Sequence, residues 1–419
     1  MLNSILTEAW QINADDPLAL TYLLGLPEFT VTRLEYHDHL EMLLVFCSPV
    51  DQVAVCPSCG TLSSQLHESK QRLVRDLAVA GKPSYLVIGA RRFKCQQCRK
   101  PFTEALRSIA RLARYTRRYE QYLFEQCRGS TIQAICRQER LGYKAVEGVY
   151  FRLAARVQAS APPPLVRRLG IDEIALKKRH GQYALVLTDL ERGCVISVLA
   201  DRTKETLETY LASWSAEQRA AIRDVALDLW EPYHLAVRAM LPNAAITGDR
   251  FHVMKNLTER VSQARREIQR QAAKDVKAQL KGCRWLLLKN AETLRQEEQA
   301  KLEAMYVVSP TLKQLHELKE AFRTIFETAP EPVSAGQRLE EWIGEVEQSE
   351  LRCLRKFVTT LRNWWDVIVR YFAERLTSGF VEGMNNKIKL IKRRGFGYRN
   401  FEHFRLRVLS ECDGGCEPH

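Results

Sequence analysis

A run of three prolines, Pro162 to Pro164, interrupts this chain of 419 residues. Proline fixes the backbone φ angle and lacks an amide hydrogen, so neither a helix nor a central strand continues through such a run. We therefore interpret the run as a linker between separately folded parts. A chain of this length exceeds what one hydrophobic core usually holds, and it is suited to two to four domains.

Composition excludes several classes of protein. Hydrophobic residues make up 46% of the chain, which is enough to form buried cores. No uncharged apolar stretch of about 18 residues is present to predict a membrane span. The first ten residues lack the basic and apolar regions of a secretory signal. We therefore expect a cytoplasmic protein with no membrane partner, in which close cysteine pairs bind metal rather than form disulfides.

Positive charge is concentrated in two segments. The chain carries 63 basic and 50 acidic residues, a net charge of +13. Residues 91–156 hold 16 Lys and Arg against 5 Asp and Glu, and residues 387–407 hold 8 against 1. Residues 253–375 are nearly balanced, with 22 against 18. Concentrated basic segments predict a nucleic-acid partner, because neutralising phosphates releases their counterions; the alternative is a basic surface that serves solubility only.

Two C-x2-C pairs, Cys56 with Cys59 and Cys95 with Cys98, flank residues 60–94. Four thiolates in this arrangement are suited to tetrahedral Zn²⁺. The strand-like runs between the pairs could form a hairpin that returns the second pair to the first. We therefore predict structural zinc in an N-terminal zinc-binding domain that spans residues 1–104. The alternative is two unrelated buried pairs.

Residues 105–160 predict a small helical domain. Ser130 and Thr131 can cap a helix that runs to about Arg140, and a second helix follows a turn that contains Gly142. Two short helices joined in this way are typical of a helix-turn-helix, whose second helix enters the DNA major groove. Other small helical bundles share the pattern. Three basic side chains of the second helix are candidate DNA contacts: Lys144, Arg152 and Arg156.

The periodicity changes after the prolines. Across residues 165–252, three short apolar runs are followed by alternating helical and strand-like segments, which is the order of a mixed α/β sheet. Residues 253–375 are helical throughout, and residues 376–410 contain a last helix followed by a basic segment. Cys412 and Cys416 lie in a glycine-rich tail, where we expect disorder rather than a second metal site.

Three acids stand out in this second part of the chain. Asp172 lies inside the first apolar run, where a charge is costly unless it is paired or binds metal. Asp228 ends another run, and sites gather at strand ends in open α/β sheets. Glu382 lies at the start of the last helix. Such acids can hold Mg²⁺ or Mn²⁺ for phosphoryl transfer; the alternatives are that Asp228 caps a helix and that Glu382 is solvated.

Asp249 and His252 follow the fifth strand-like run. Asp249 could cap the next helix with His252 beside its carboxylate, and we interpret the pair as orienting the site. Direct metal ligation by Asp249 is the alternative. Beyond Glu382, Asn385 and Asn386 continue a polar helix face. Five basic residues then follow, suited to contact the DNA backbone: Lys387, Lys389, Lys392, Arg393 and Arg394.

These motifs resemble the ISL-three family of bacterial insertion-sequence transposases across nearly the whole chain. The resemblance is carried by the order of the cysteine pairs, the helix pair and the acidic motifs. The motifs read GIDE at 170–173, LDLWEPY at 227–233, GDRFHVMKNL at 248–257 and, most specifically, SGFVEGMNNKIKLIKRRGFGYRNFEHFRLRVL at 378–409.

The resemblance implies a multidomain protein with a ribonuclease-H-like α/β catalytic core of the DDE type. A large all-α insertion would separate the fifth strand from the final acidic helix. The three acids would be Asp172, Asp228 and Glu382. Asp249 and His252 are similar to the Asp-x-x-His signature that related transposases carry after the fifth strand.

The implied activity is Mg²⁺-dependent cleavage and joining of DNA strands at the terminal inverted repeats of an insertion sequence. We expect the protein to act on double-stranded DNA as a homodimer or higher oligomer, associated with the bacterial nucleoid. A nuclease that cuts without joining is the rival within the catalytic class. A zinc and helix-turn-helix regulator, including a domesticated transposase without cleavage activity, is the rival from another class.

Overall fold

A computed structural model describes residues 17–160, 165–177, 181–349, 351–375 and 379–412, without the side chains of 17–19, 275 and 379–382. The predicted proline linker and Cys416 lie outside the described residues. The chain divides into two compact units, Met1–Ala159 and Ser160–His419, and their boundary falls next to that linker. Within the described ranges, no helix combines the length and the apolar character that a bilayer crossing requires.

The first unit is built on a sheet with the strand order β1-β2-β6-β5, and β7 pairs with β6. Ala80 and Gly81 both take left-handed φ angles between β5 and β6, as a two-residue hairpin turn requires. The hairpin predicted between the cysteine pairs is therefore confirmed. The elements are α1 (Pro17–Leu24), β1 (Phe29–His37), β2 (Met42–Pro49), β3 (Ala54–Val55), β4 (Leu62–Ser63), β5 (Leu66–Val79), β6 (Lys82–Lys94) and β7 (Pro101–Thr103).

Three helices complete the first unit: α2 (Arg117–Arg128), α3 (Ile132–Glu139) and α4 (Tyr143–Ser160). The Thr131 hydroxyl accepts a hydrogen bond from the Ala134 amide at 3.0 Å and so caps α3, as predicted. Arg140 ends the helix with a left-handed φ of 54°. The predicted pair of helices is confirmed, with the longer second helix extending to Ser160.

The helices and the sheet of this unit are joined by buried polar contacts. The Arg75 guanidinium on β5 donates to the Glu139 carbonyl oxygen at 2.7 Å and to its carboxylate at 3.0 Å. Asp76 accepts from the Thr116 hydroxyl at 2.6 Å and from Arg118 Nε at 2.8 Å. The segments 1–104 and 105–160, predicted as separate domains, thus contribute to one compact unit.

The second unit contains the mixed α/β sheet that the sequence predicts. Its strand order is β10-β9-β8-β11-β12. β9 runs antiparallel to β8 and β10, whereas β11 runs parallel to β8 and β12. The elements are β8 (Arg168–Lys177), β9 (Gln182–Asp189), β10 (Cys194–Leu199), α5 (Lys204–Ala212), α6 (Ala216–Ala221), β11 (Asp224–Leu227), α7 (Glu231–Met240) and β12 (Ala245–Gly248).

A predominantly helical segment follows β12, as predicted. Its core is dense in aromatic rings, and Phe322 has its ring centroid 4.9 Å from that of Trp342 and 5.1 Å from that of Phe357. The helices are α8 (Arg250–Gln271), α9 (Lys274–Gln279), α10 (Cys283–Leu288), α11 (Gln296–Val308), α12 (Pro310–Thr328), α13 (Pro332–Gln348), α14 (Arg355–Asn363) and α15 (Trp365–Glu374).

The chain then returns to the sheet. α16 (Gly379–Arg394) and α17 (Phe401–Glu411) contribute Ile388, Ile391 and Phe404 to a core that also contains residues of β8, β9 and β10. Cys412 is fully buried in this core, and its carbonyl oxygen accepts a hydrogen bond from the Val195 amide at 2.9 Å. The prediction of a disordered tail is therefore wrong at Cys412.

Candidate active site and zinc site

Strand register places three acids in one row across the second sheet, level with the ends of β11 and β12. β8 and β11 pair Ile171 with Leu227, so Asp172 and Asp228 are the next residues along two adjacent parallel strands. β11 and β12 pair Leu227 with Gly248, so Asp249 follows at the same level on the third strand. β11 and β12 end at this level, so Asp228 and Asp249 lie at the carboxyl ends of parallel strands, and Asp172, inside β8, lies beside them.

His252 forms a cluster with Asp172 and Asp228. Single ligand atoms of Asp172, Asp228 and His252 all lie within 4.8 Å of one another. His252 Nδ1 contacts Asp228 Oδ1 directly and lies 3.2 Å from Asp249 Oδ2. The other oxygen of Asp249 accepts from the Phe251 amide at 2.8 Å and caps α8. The first turn of α8 therefore holds His252 over the row.

Asp228 does not cap the helix that follows it. The residue at the N-cap position of α7 is Trp230, which makes no side-chain cap hydrogen bond. The Asp228 carboxylate instead faces His252. The alternative that Asp228 is an ordinary helix cap is thus contradicted.

The acids titrate abnormally because they lie side by side and are largely shielded from solvent. Burial raises the pKa of Asp172 to about 6, and the Asp228 carboxylate adds to the rise. Burial also raises the pKa of Asp228. Burial disfavours the charged imidazolium of His252, but the two neighbouring carboxylates outweigh this effect and raise the pKa of His252 to about 10. The site is a compact negative cluster that His252 partly neutralises.

Asn385 reaches the cluster from α16. Its Nδ2 donates a hydrogen bond to Asp172 Oδ2 at 2.5 Å. Its Oδ1 is buried and has no hydrogen-bond partner among the described residues. Glu382 lies one turn earlier on the same helix, and its side chain lies outside the described residues. The sequence placed Asn385 on a polar face but missed its bond to Asp172.

A divalent metal ion fits these residues. Closely spaced buried carboxylates repel one another unless a cation lies between them, and hard carboxylate and amide oxygens are the ligands that Mg²⁺ prefers. The buried Asn385 Oδ1 is a further oxygen without a protein partner. Asp172, Asp228 and Asn385 are thus the described residues whose oxygens could serve as ligands or orient them.

Two residues near the acids, Glu173 and Tyr233, were not among the predicted site residues. Glu173 accepts a hydrogen bond from the Tyr233 hydroxyl at 2.6 Å. It also pairs with Arg202 at 3.0 Å. Tyr233 lies in the first turn of α7, five residues after Asp228. The hydrogen bond therefore joins the start of α7 to β8, the strand that carries Asp172. The pairing needed tertiary contact and left no local sequence signal.

The raised pKa of Asp172 predicts that Asp172→Asn stabilises the metal-free protein at neutral pH. The folded-state pKa lies above the unfolded one, so the acid's contribution to stability is present below about pH 4 and is lost as the pH rises through about 6. The ionised form therefore costs about 3 kcal/mol at pH 7.5. We expect Tm in EDTA to rise by about 5 °C in the variant.

The rise in Tm of Asp172→Asn over wild-type protein, measured by scanning calorimetry, should become smaller as the pH is lowered toward 4. Asp201→Asn is the control, because Asp201 accepts hydrogen bonds from the Thr203 amide and hydroxyl, both at 3.0 Å, and its removal should not raise Tm. An equal or lower Tm for Asp172→Asn at pH 7.5 would contradict the prediction that the ionised Asp172 carboxylate destabilises the metal-free protein.

The cysteine pairs meet at the far end of the β5–β6 hairpin. Their four Sγ atoms lie within 4.8 Å of one another, with Cys56 3.6 Å from Cys98 and Cys59 3.5 Å from Cys95. Tetrahedral Zn²⁺ with Zn–S bonds of about 2.3 Å requires sulfur separations of about 3.8 Å. The donor set therefore fits zinc. His67 is exposed and is not part of the cluster.

Local hydrogen bonds shape the turn that holds each cysteine pair. The Cys56 amide donates to the Thr61 carbonyl at 2.9 Å, and the Cys95 amide donates to the Lys100 carbonyl at 3.0 Å. The Thr61 hydroxyl, 3.5 Å from the Cys59 sulfur, is the main cause that lowers the pKa of Cys59 to about 6. A thiol that ionises this readily is suited to bind a metal ion.

Several of the candidate DNA contacts form bonds within the chain. Arg152 pairs with Glu120 through bonds of 2.8 and 3.2 Å. Lys392 donates to the Ala175 carbonyl at 2.6 Å, and Arg394 pairs with Glu411. Lys144, although exposed, pairs with Glu147 at 2.8 Å. Four further candidates are exposed: Arg156, Lys387, Lys389 and Arg393.

Comparison with known families decides the identity of the chain. Residues 169–408 match a transposase family of the ISL3 type. The chain belongs to the ISL3 family of transposases. Residues 52–98 match the zinc finger of the transposases of IS204, IS1001, IS1096 and IS1165. Residues 104–154 match the helix-turn-helix domain of the ISL3 transposase family. The family, the zinc finger and the helix-turn-helix predicted from the sequence are thereby confirmed.

Curated relatives support the same assignment. The chain is 30% identical over 400 residues to the transposase for insertion sequence element IS1001 of Bordetella parapertussis, covering 93% of this chain and 97% of the relative. It is 27% identical over 294 residues to the transposase for insertion sequence element IS1557 of Mycobacterium tuberculosis, covering 64% and 65% respectively. This ISL3 transposase thus aligns with a curated relative over nearly its whole length.

Proposed function

We propose that this ISL3 transposase is a DDE enzyme that cuts and joins DNA at the ends of its insertion sequence. The observation that carries the proposal is the pairing register that sets Asp172 beside Asp228. Partly buried acids that lie side by side on adjacent parallel strands and are coupled to a histidine have no evident value for stability, because their ionisation opposes folding. A metal-dependent reaction accounts for their presence.

The proposed core is ribonuclease-H-like. In its support, five strands form one mixed sheet, a helical segment follows the fifth strand, and a final helix returns to pack on β8 and β10 with α17. This is the order that the family resemblance implied. We assign the third acid to Glu382, because Asn385, one turn later on α16, bonds to Asp172, and residues three apart share a helix face.

Each residue of the site has a proposed role. Asp172, Asp228 and Glu382 would hold Mg²⁺ or Mn²⁺, which when bound supplies positive charge to a phosphodiester and lowers the pKa of water. Asn385 orients Asp172 through its amide. Asp249 fixes the first turn of α8, and His252 holds Asp228 from that turn.

The remaining parts of the chain would bring DNA to this site. Zinc bound by the four cysteines would hold the zinc-binding domain in shape, and α4 would read the terminal inverted repeats. Lys144 and Arg156 would contact the DNA, and Arg152 would do so only on leaving Glu120. We propose that the enzyme acts as a homodimer or higher oligomer on DNA. The proposed domains are 1–104 for zinc, 105–160 for the helix-turn-helix, 165–252 and 376–410 for the core, and 253–375 for the insertion.

An assay on plasmid DNA tests the proposal against its rivals. A plasmid that carries both ends of the insertion sequence encoding this chain is incubated with the protein and Mg²⁺, and the products are separated and sequenced. A transposase yields strands cut at the ends and new junctions between an end and another DNA segment. A nuclease yields the cuts alone.

A DNA-binding regulator gives a third pattern. It would bind end-containing DNA equally well in EDTA and in Mg²⁺, and it would cut nothing. Binding without cutting, by protein that contains one zinc per chain, would therefore overturn the proposal in favour of the regulator.

A further inference from the structure

Phe396 is the most exposed large hydrophobic side chain among the described residues, with 91% of its surface accessible. It lies at the tip of the loop between α16 and α17, in the segment Gly395-Phe396-Gly397. A phenylalanine exposed to this degree gains nothing from burial in the chain itself. Its value therefore has to come from contact with another molecule or from the loop conformation.

The loop conformation does not explain the choice of phenylalanine. Phe396 has a left-handed φ of 51°, which disfavours L-residues other than Gly, Asn and Asp. Either Gly or Asn would relieve this backbone strain and remove an exposed apolar ring. Phe396 thus combines an exposed apolar ring with a left-handed backbone, and neither feature stabilises the folded chain.

The loop holds Phe396 in a fixed place. A Cβ atom on Gly395 would lie 2.4 Å from the ring of Tyr398, so only glycine permits this close packing. The Tyr398 ring in turn packs on buried Phe404 of α17, with centroids 5.4 Å apart. Gly397 has a φ of 94°, which an L-residue rarely adopts. Phe396 therefore lies in a turn that Tyr398 anchors to α17.

The surroundings of the tip are basic. Arg393, on the last turn of α16, and Arg399, after the tip, are both exposed. Lys389 is exposed one turn before Arg393. Residues 387–407 carry 8 basic residues against 1 acidic. A positively charged surface with a projecting aromatic ring matches duplex DNA, since apolar side chains flanked by arginine can enter between base pairs and unstack them.

We propose that Phe396 inserts between adjacent base pairs of the DNA bound at the active site and opens the duplex near the cleaved phosphodiester. This rests on the proposed function, because DNA is taken as the ligand. The ring supplies apolar contact to unstacked bases, while Arg393 and Arg399 neutralise phosphates on either side. The strain at Phe396 is retained because it aims the ring outward.

The helix sets where the insertion occurs. Asn385, which touches Asp172, and Arg394 at the end of α16 are nine residues apart, or about 14 Å at a rise of 1.5 Å per residue. For DNA that follows this helix, with about 3.4 Å per base pair, the ring meets the duplex about four to five base pairs from the scissile phosphate.

A base-unstacking experiment tests the proposal. The probe is a duplex that carries one end of the insertion sequence, with 2-aminopurine substituted singly at successive positions. The full-length protein is added in Ca²⁺ so that binding occurs without cleavage. Wild-type protein should raise the fluorescence at the step four to five base pairs from the scissile phosphate, and Phe396→Asn should abolish that rise. Phe396→Trp should preserve it.

Two controls separate this role from a structural one. Trp285→Ala removes another exposed ring, 65% accessible, from the helical segment and should leave the fluorescence unchanged. Phe396→Asn should melt at the wild-type temperature or above it, because asparagine tolerates the left-handed backbone. Its cleavage rate in Mg²⁺ should fall about 10- to 100-fold, as expected when a contribution to duplex opening is lost.

Several results would overturn the proposal. An unperturbed probe with wild-type protein, or the same rise with Phe396→Asn, shows that no base step is opened by this ring. A loss of self-association with unchanged fluorescence assigns the ring to a second copy of the chain. A lowered Tm assigns it to folding of the loop. Because Ca²⁺ supports no cleavage, an inactive wild-type enzyme would count against the proposed function and not against this unstacking result.

Discussion

Asp228→Asn should lower the rate of Mg²⁺-dependent DNA cleavage by at least about 1,000-fold, because a lost metal ligand removes several kcal/mol of transition-state stabilisation. The same loss is expected for Asp172→Asn and Glu382→Gln. Single-turnover cleavage of an end-containing duplex is the measurement. Binding of that duplex in Ca²⁺ should change little, since most of the affinity for DNA comes from phosphate contacts elsewhere.

Asp249→Asn should have a smaller effect, about 10- to 100-fold, as expected for a residue that orients a ligand through another side chain. In the structure Asp249 caps α8 and contacts His252, and an asparagine can still accept the cap hydrogen bond. If Asp249→Asn loses as much activity as Asp228→Asn, the two roles have been assigned the wrong way round.

Asp224→Asn is the matched control for these acids. Asp224 begins the strand that Asp228 follows, so it lies at the opposite edge of the sheet. It is also buried, and burial raises its pKa. Its nearest cation, Arg168, is 3.7 Å away. We expect wild-type cleavage from Asp224→Asn, so an equal loss would show that any charge change in this strand disables the enzyme.

Removal of zinc should have the second largest effect. Cys95→Ser leaves three thiolates at a site that needs four, and zinc binding contributes about 10 kcal/mol or more to folding of small zinc domains. We expect bound zinc, measured by mass spectrometry, to fall to background. Affinity for end-containing DNA should fall about 100-fold at constant salt, because the zinc-binding domain loses its folded conformation.

Cys47→Ala is the control for this variant. Cys47 is buried in the same unit, within the sheet core rather than in the cysteine cluster. It should retain one zinc per chain and wild-type DNA affinity. Retention of zinc by Cys95→Ser would instead show that the four thiolates do not form one site.

The sheet and the acids were predictable because both depend on local sequence. Apolar runs of four to eight residues predicted the five strands of the second unit, and turn residues marked their ends. Asp172 was recognised because a charge inside an apolar strand is costly, and Asp228 because it ends a strand. Their contact could be foreseen in outline from strand ends, and the pairing of Ile171 with Leu227 adds the register.

The rest of the site depends on contacts between distant residues. The bond from Asn385 to Asp172 joins positions 213 residues apart. Arg152 and Lys392 looked like DNA contacts because they are basic, but Glu120 and the Ala175 carbonyl engage them in the structure. Cys412 was placed in a glycine-rich tail, yet the apolar face of α17 carries it into the core. None of these pairings leaves a periodic signal.

The ion pair between Arg75 and Glu139 has a consequence for the spacing of DNA contacts. The zinc cluster lies near Leu66 at one end of β5, and Arg75 holds the end of α3 nine residues along the same strand. That is about 30 Å of extended chain, close to one turn of B-form DNA. We therefore expect the zinc-binding domain and the helix pair to contact one side of a duplex about one helical turn apart. Insertion of half a turn of DNA between the two contacted segments should then weaken binding, because one segment would face away from the protein.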